Sequence, residues 1–497
     1  MDETAVGESR CAEARSTRAV ACWVFGRLLG IIYLIAFWSL ARQVIGLIGH
    51  DGILPARAYM DSVRQWASAQ QLGIDRFRLV PTLCWMGTSD AFLEALCAGG
   101  VVLSAVLIVG IAPIVVLPLL WLIYLSLSVA GQDFLSFQWD ALLLETGFLA
   151  IFIVPAVGRE RLRDAADPPR LGVWLLLWLL FRLMVGSGAI KLASGDPTWR
   201  NLTALTFHFE TQPIPTPLSW YAHHLPVWLH RAWTAAALGI ELLVPFLFLG
   251  GYRSRAFACA LLVGLQALIA LTGNYAFFNL LAASLCVFLL DDRALARFVR
   301  ARPVRSASRF RRGVLIAVAV VTLPASAVEF ARSLGVDIAG VPPMTAVASF
   351  VSPFRSVNSY GLFAIMTTRR PEIIVEGSDD GVDWKRYDFK YKAGDLKRRP
   401  PWVAPHQPRL DWQMWFAALG RYETDPWFQN FCVRLLEGSP DVLGLLEGNP
   451  FPGHPPRYVR AALHEYHFSD APARRDTGVW WTDQRLGDYS PVLSLRQ

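Results

Sequence analysis

Long apolar runs recur from Val24 to Ala331, each broken by a polar or arginine-rich link. Crossing the hydrocarbon core of a bilayer takes about 20 helical residues, and most of these runs are long enough. The pattern predicts nine spans. They are Val24–Ile48, Ala91–Ile111, Pro113–Ala130, Ala141–Val157, Leu171–Ile190, Ala232–Leu249, Ala256–Leu271, a span ending at Leu290, and Val314–Ala331, which Pro324 interrupts. One interruption is far longer than the rest. Residues 191–231 hold a Gly195-Asp196-Pro197 turn and then a segment rich in histidine, proline and tryptophan. Connections of that length inside a compact unit are usually functional.

From about Val341 the apolar runs shorten to strand length, while charge and proline rise. SVNSYGLFAIMTT, EIIVEGS and WKRYDFKYK read as strands, and the SDDG between the last two reads as a hairpin turn. Asp411–Leu419, Pro426–Glu437 and Pro440–Glu447 read as short helices, and strand-like text returns from Tyr458. The expected fold is therefore a polytopic α-helical membrane bundle followed by an extracytoplasmic α+β domain containing a β-sandwich portion. The expected boundaries are a cytoplasmic tail (1–19), the bundle (20–335) and the outer domain (341–497).

Composition agrees: 54% of the 497 residues are hydrophobic, more than a soluble domain usually carries. The net charge of +7 is not a nucleic-acid footprint, because its placement is what carries information. With nine spans and the N-terminus in the cytoplasm, the arginine-rich links 158–170, 251–255 and 291–312 all fall on the cytoplasmic side, as the positive-inside rule requires. The same count places loop 191–231 and the C-terminal domain outside. Seven scattered cysteines, with no CxxC pair, supply neither a disulfide framework nor a zinc site.

Three groups of residues carry candidate chemistry. Arg182, Glu145 and Glu241 are ionisable side chains inside spans, where charge is tolerated only when paired or hydrated. An Arg182–carboxylate pair is the economical expectation. Lys191 sits where a span meets the outer interface. It is expected either to snorkel, its stem in lipid and its ammonium in water, or to pair with Asp196. His208, Glu210, His223 and His224 have no metal-ligand spacing, so hydrogen-bonded packing is expected, with ligand or client contact as their functional role. Trp402, His406, Trp412 and Trp415 are the matching candidates in the outer domain, since aromatic residues serve cores and binding surfaces alike. No nucleophile elbow, P-loop or dinucleotide fingerprint is present. No cofactor is implied.

The stretch RLMVGSGAIKLASGDPTWRNLTALTFHFETQPIPTPLSWYAHHLP resembles the signature of the lipase maturation factor family. So do LTGNYAFFNLL, VNSYGLFAIMTTRRPEIIVEGSDDG and RRPPWVAPHQPRLDWQMWFAAL. The resemblance covers nearly the whole chain from about residue 20. It implies a non-catalytic, chaperone-like membrane protein whose partners are membrane lipids and an exported client such as a lipase. It implies the endoplasmic-reticulum membrane in a eukaryote and the inner membrane in a bacterium. A shorter stretch, GAIKLASGDPTW, is similar to the region around the catalytic lysine of vitamin K-dependent gamma-carboxylase. That similarity implies an alternative, a membrane enzyme acting on a quinone or lipid-like substrate with Lys191 as general base.

Overall fold

The computed structural model describes residues 18–155, 158–162, 165, 167–292, 309–336 and 341–495. All but the end of the 1–19 tail, and most of the 291–312 link, lie outside the described residues. Seven helices are long and apolar enough to cross a membrane: α1 (Ala19–Ala41), α2 (Asp90–Val109), α3 (Pro113–Ala130), α5 (Arg170–Ala193), α8 (Val227–Leu249), α9 (Tyr252–Thr272) and α11 (Arg309–Ser333). Two expected spans are shorter helices, α4 (Gln138–Ile151, 14 residues) and α10 (Phe278–Leu289). At 1.5 Å per residue α4 covers about 21 Å, less than the roughly 30 Å of a hydrocarbon core.

Polar contacts mark two ends of this bundle. At the start of α1, the unpaired amides of Ala19 and Val20 donate to the Asp292 carboxylate, a favourable place for negative charge. The same end holds Arg27 against Glu160, Arg255 against Asp291 at 2.8 Å, and Arg311 against the carbonyls of Phe152 and Val154. At the far end of α1, Ser39 and Gln43 bond the 406–409 segment. α4 starts beside that C-terminal segment, through Asp140, and ends beside Arg311. α10 likewise follows Asn274, which holds residues 401–404, and leads to Asp291.

Local chemistry explains the helix limits. Ser89 caps α2 by accepting from the Phe92 amide, and Gly110 ends it at φ +84°, a conformation glycine adopts without a Cβ penalty. α1 and α2 pack tightly because Gly30 meets Ile108 and Gly100 meets the Phe37 ring; a Cβ at Gly100 would lie 2.4 Å from that ring. Small residues allow the same close approach in many membrane helix pairs.

The expected open loop 191–231 is largely helical. It contains Pro197–Arg200, α6 (Ala204–Thr211) and α7 (Pro217–His223). Asp196 accepts from the Thr198 amide with Pro197 at the first helical position, and Thr216 forms a capping box with Ser219 ahead of α7. Those caps are what turn the polar segment into helices.

The C-terminal region holds one antiparallel sheet in the order β2-β1-β3-β4, built from β1 (Pro371–Ser378), β2 (Lys385–Tyr387), β3 (Tyr458–Phe468) and β4 (Trp481–Asp488). The SDDG hairpin joins β1 to β2, with Asp380 accepting from the amides of Val382 and Asp383 and Gly381 at φ +75°. The expected β-sandwich portion is not found among the described residues. The sheet is covered by helices instead, α12 (Arg409–Ala418) and α13 (Pro426–Glu437) among them. SVNSYGLFAIMTT is likewise not a strand. Its backbone and side-chain groups are taken by the bundle: Asn358 and Tyr360 by Glu145, Gly361 by Gln138, and Met366 by Asp196. One hydrophobic cluster runs from Phe25 in α1 to Phe431 in α13 without a break.

Candidate functional site

Four buried charged groups tie the two regions together or line the space between helices. The first is the expected Arg182 pair. The Arg182 guanidinium of α5 donates to Glu145 of α4 and to the Asn358 carbonyl at 3.0 Å. Glu145 also accepts from the Asn358 amide at 2.9 Å and from the Tyr360 hydroxyl at 2.8 Å. A buried carboxylate with this many donors is well compensated.

The second is Lys191, which differs from expectation. It is 7% exposed, so it does not snorkel. Its partner is Glu241 of α8, whose two carboxylate oxygens each lie 2.6 Å from Nζ, and its ammonium stands 4.9 Å from the centre of the Trp199 ring. Asp196 is occupied elsewhere, by the amides of Thr198 and Met366. The Lys191 donors are engaged by both oxygens of one carboxylate, whereas a general base needs a free lone pair aimed at its substrate.

Lys191 and Glu241 line a cavity of about 610 Å³ between α5, α6, α8, α9 and α10. Its walls are mostly apolar, with Trp199, Phe209, Trp233 and Leu265 among them, and His208, Gln266, Tyr275 and Asn279 supply polar groups. Burial, with the Lys191 charge second, lowers the His208 pKa to about 4, so the imidazole is neutral at pH 7.

The third group is Glu210, which does not join His208 in any ligand set. Its oxygens face His223 at 3.3 Å and His467 of β3 at 2.8 Å. Burial depresses the His223 pKa against the opposing pull of Glu210. His224 is turned away, its ring tilted against Trp220 at 4.2 Å and its Nδ1 donating to the Trp220 carbonyl. Among the described residues no three His, Cys, Asp or Glu side chains gather as metal ligands would. Beside Glu210, the fully buried Arg370 donates to the carbonyls of Glu210, Gln212 and Pro213 and pairs with Glu372 at 2.7 Å.

The fourth group joins α12 to the bundle. Arg409 reaches both oxygens of Asp140 at 2.8 and 2.9 Å and the Phe134 carbonyl at 2.6 Å. Trp412 packs at 4.7 Å on Trp139, and Trp415 donates to the Thr211 carbonyl. Both are core residues rather than surface contacts. Trp402 is 53% exposed. His406 bonds Ser39 and lines a second hollow of about 340 Å³ with Trp38, Arg42, Lys390 and Tyr391.

Sequence reasoning missed Asp140, Arg409, Arg370 and Asn274. Asp140 had a signal, an acid five residues before Glu145 in the same apolar helix. Arg370 and Arg409 stand in polar text, where nothing separates a buried arginine from a solvated one.

Comparison with known proteins covers both regions. Residues 20–297 match a family model described as the lipase maturation factor transmembrane domain. Residues 356–491 match the lipase maturation factor C-terminal domain. The chain is 36% identical over 580 residues to lipase maturation factor 2 of Gallus gallus, covering 94% of this chain and 80% of that protein. It is 35% identical over 524 residues to lipase maturation factor 1 of Bos taurus, covering 99% and 93%. With lipase maturation factor 1 of Homo sapiens the identity is 36% over 509 residues, covering 95% and 87%. No solved structure matches.

Proposed function

The chain belongs to the lipase maturation factor family, and on that premise we propose that it is a membrane-embedded, chaperone-like maturation factor for an exported lipase. The observation that carries the reading is that both family regions match in order along one chain. The buried Arg409–Asp140 contact between them also supports it, because it makes the bundle a rigid mount for the C-terminal region. The client would meet the exposed side of that region, where Trp402 projects and His406 lines the hollow beside Trp38. His224 would extend the contact on α7. His208, Glu210, Trp412 and Trp415 are engaged inside the fold and would act by holding that surface.

The topology goes with this reading: nine passes, the N-terminus in the cytoplasm, and the C-terminal region outside. It is supported by the end-to-end course of α4 and α10. It is also supported by the grouping of Arg18, Arg255 and Arg311 at one end of the bundle. The compartment would be the endoplasmic-reticulum membrane or, in a bacterium, the inner membrane, with membrane lipids around the bundle.

The test is secreted lipase activity per unit of lipase protein in cells that lack or express the full chain. Expression is expected to raise specific activity, and Trp402→Ala to lower the gain at unchanged abundance of the factor. Equal specific activity with and without the chain, across several secreted lipases, would overturn the proposal.

A further inference from the structure

Most of the donors inside the cavity beside Lys191 are already spent. Lys191 donates to Glu241, the Trp199 indole to the Phe363 carbonyl, the Tyr275 hydroxyl to Gln212 and the Ser187 hydroxyl to the Leu183 carbonyl. Two lining side chains differ. Gln266 of α9 and Asn279 of α10 are 4% and 7% exposed. Their amide oxygens are wholly buried. Their amide nitrogens bond to nothing among the described residues and are the polar atoms these two side chains show to the cavity. An amide N–H held in a nearly buried site without an acceptor is costly. The unmet need of the cavity is therefore for an acceptor.

Charge, opening and depth narrow the guest further. Lys191 and Glu241 neutralise one another at 2.6 Å, so a charged group would enter without a counter-charge and lose its hydration. The open side is apolar. Leu268 and Leu271 of α9 and Trp233 of α8 stand exposed at its rim, on two helices suited to cross a membrane. Gln266 lies six residues before the end of α9 at Thr272, about 9 Å along the helix, and Asn279 is the second residue of α10. Both are near the end of the bundle that Asn274 joins to residues 401–404. The volume, about 610 Å³, suits one ligand-sized guest. A neutral acceptor at the edge of the hydrocarbon core, with apolar chains attached, is the ester carbonyl of an acyl lipid.

We propose that this cavity binds one acyl-ester lipid of the bilayer, its ester carbonyls accepting from the amide nitrogens of Gln266 and Asn279 and its chains leaving between α8 and α9. A quinone also carries carbonyls, but esters are the carbonyls that a bilayer presents in bulk at this depth. The site sits apart from the proposed client surface and does not depend on a lipase being the client.

The test uses the purified full-length protein in nanodiscs of ether-linked phosphatidylcholine, which has no carbonyl. Two trace probes carry the same photoreactive group in one chain: a diacyl phosphatidylcholine and its diether counterpart. The diacyl probe is expected to label α8 and α9 peptides about tenfold more than the diether probe, the equivalent of about 1.4 kcal/mol, and unlabelled diacyl lipid is expected to compete. Gln266→Met and Asn279→Leu each keep an apolar side chain of similar size and remove one donor. Each is expected to lower capture of the diacyl probe severalfold and to leave the diether signal unchanged. Equal labelling of the parent by the two probes, which needs no variant to fold, would mean that the lipid merely surrounds the bundle and would overturn the proposal. So would stronger competition by a long-chain quinone than by the diacyl lipid, or an unchanged preference for the ester in both variants when folded.

Discussion

Replacing Arg409 by methionine removes the strongest bond between α12 and the bundle. Arg409 is 1% exposed and Asp140 is fully buried, so solvent cannot take over from the lost partner. Asp140 keeps the Tyr124 hydroxyl but loses two charge-assisted bonds, and the Phe134 carbonyl loses its donor. Breaking a buried pair from one side costs about 3–5 kcal/mol. At roughly 2–4 °C per kcal/mol for a region of 150–250 residues, Arg409→Met should melt on the order of 10 °C lower. Removing both charges is different, because a well-packed apolar replacement is often neutral. Arg409→Met/Asp140→Leu should recover to within about 1 kcal/mol of the parent, giving a coupling of at least ~2 kcal/mol in a double-mutant cycle. The assay is thermal loss of monodisperse protein in detergent, followed by size-exclusion fluorescence. If the single variant melts with the parent, or the double variant is no more stable than the single, Arg409 is not compensating a buried charge.

The Lys191–Glu241 pair should behave in the same way. Lys191→Met should destabilise by about 3–5 kcal/mol, Lys191→Met/Glu241→Leu should recover most of it, and Lys191→Arg should retain lipase maturation; loss of maturation in a folded Lys191→Arg would return the lysine to a catalytic role. Acid should weaken the fold through His208. Its pKa falls from 6.5 unfolded to about 4 folded, so the unfolded chain binds the proton first, and this contribution is complete above pH 6.5 and lost as pH falls toward 4. Asp411, raised from 3.8 to about 6 by burial, works in the opposite direction. The diagnostic is therefore the difference between parent and His208→Gln, which should have a flatter melting profile over that window; parallel profiles would refute the assignment. For topology, Trp402→Cys should react with an impermeant maleimide in intact cells, with the lumen opened first if the membrane is internal. Arg253→Cys should react only from the cytoplasmic side, and reaction of both from one side would refute nine passes.

The long helices were legible because a run like that of α3 carries no charge on any face, and only lipid or a protein core accepts such a helix. The Arg182–carboxylate pair was legible because a charge inside a span must find an opposite one. Lys191 was misjudged for the converse reason. Near the end of a span, water and a partner on another helix are equally available, and sequence distance favoured Asp196 over Glu241. The strand reading of SVNSYGLFAIMTT failed because β-propensity reports a segment suited to a half-buried surface. Here that surface is a helix bundle, and side chains such as Glu145 and Asp196 replace the missing strand partner. Loop 191–231 was recognised as special by length, yet its helices depend on capping by Asp196 and Thr216.

The order in which the chain leaves the ribosome gives the Arg409–Asp140 contact a further meaning. Asp140 is made 269 residues before the arginine that neutralises it. At roughly 5–20 residues per second, the helix bearing it waits on the order of 10–60 s, until the last fifth of the chain arrives. Throughout that interval α4 is a short, acid-bearing segment with little reason to settle in lipid. Its firm placement therefore comes at the close of synthesis. A chain stopped anywhere before Arg409 would present a membrane quality-control system with a carboxylate that lacks its counter-charge, whatever the state of its other helices.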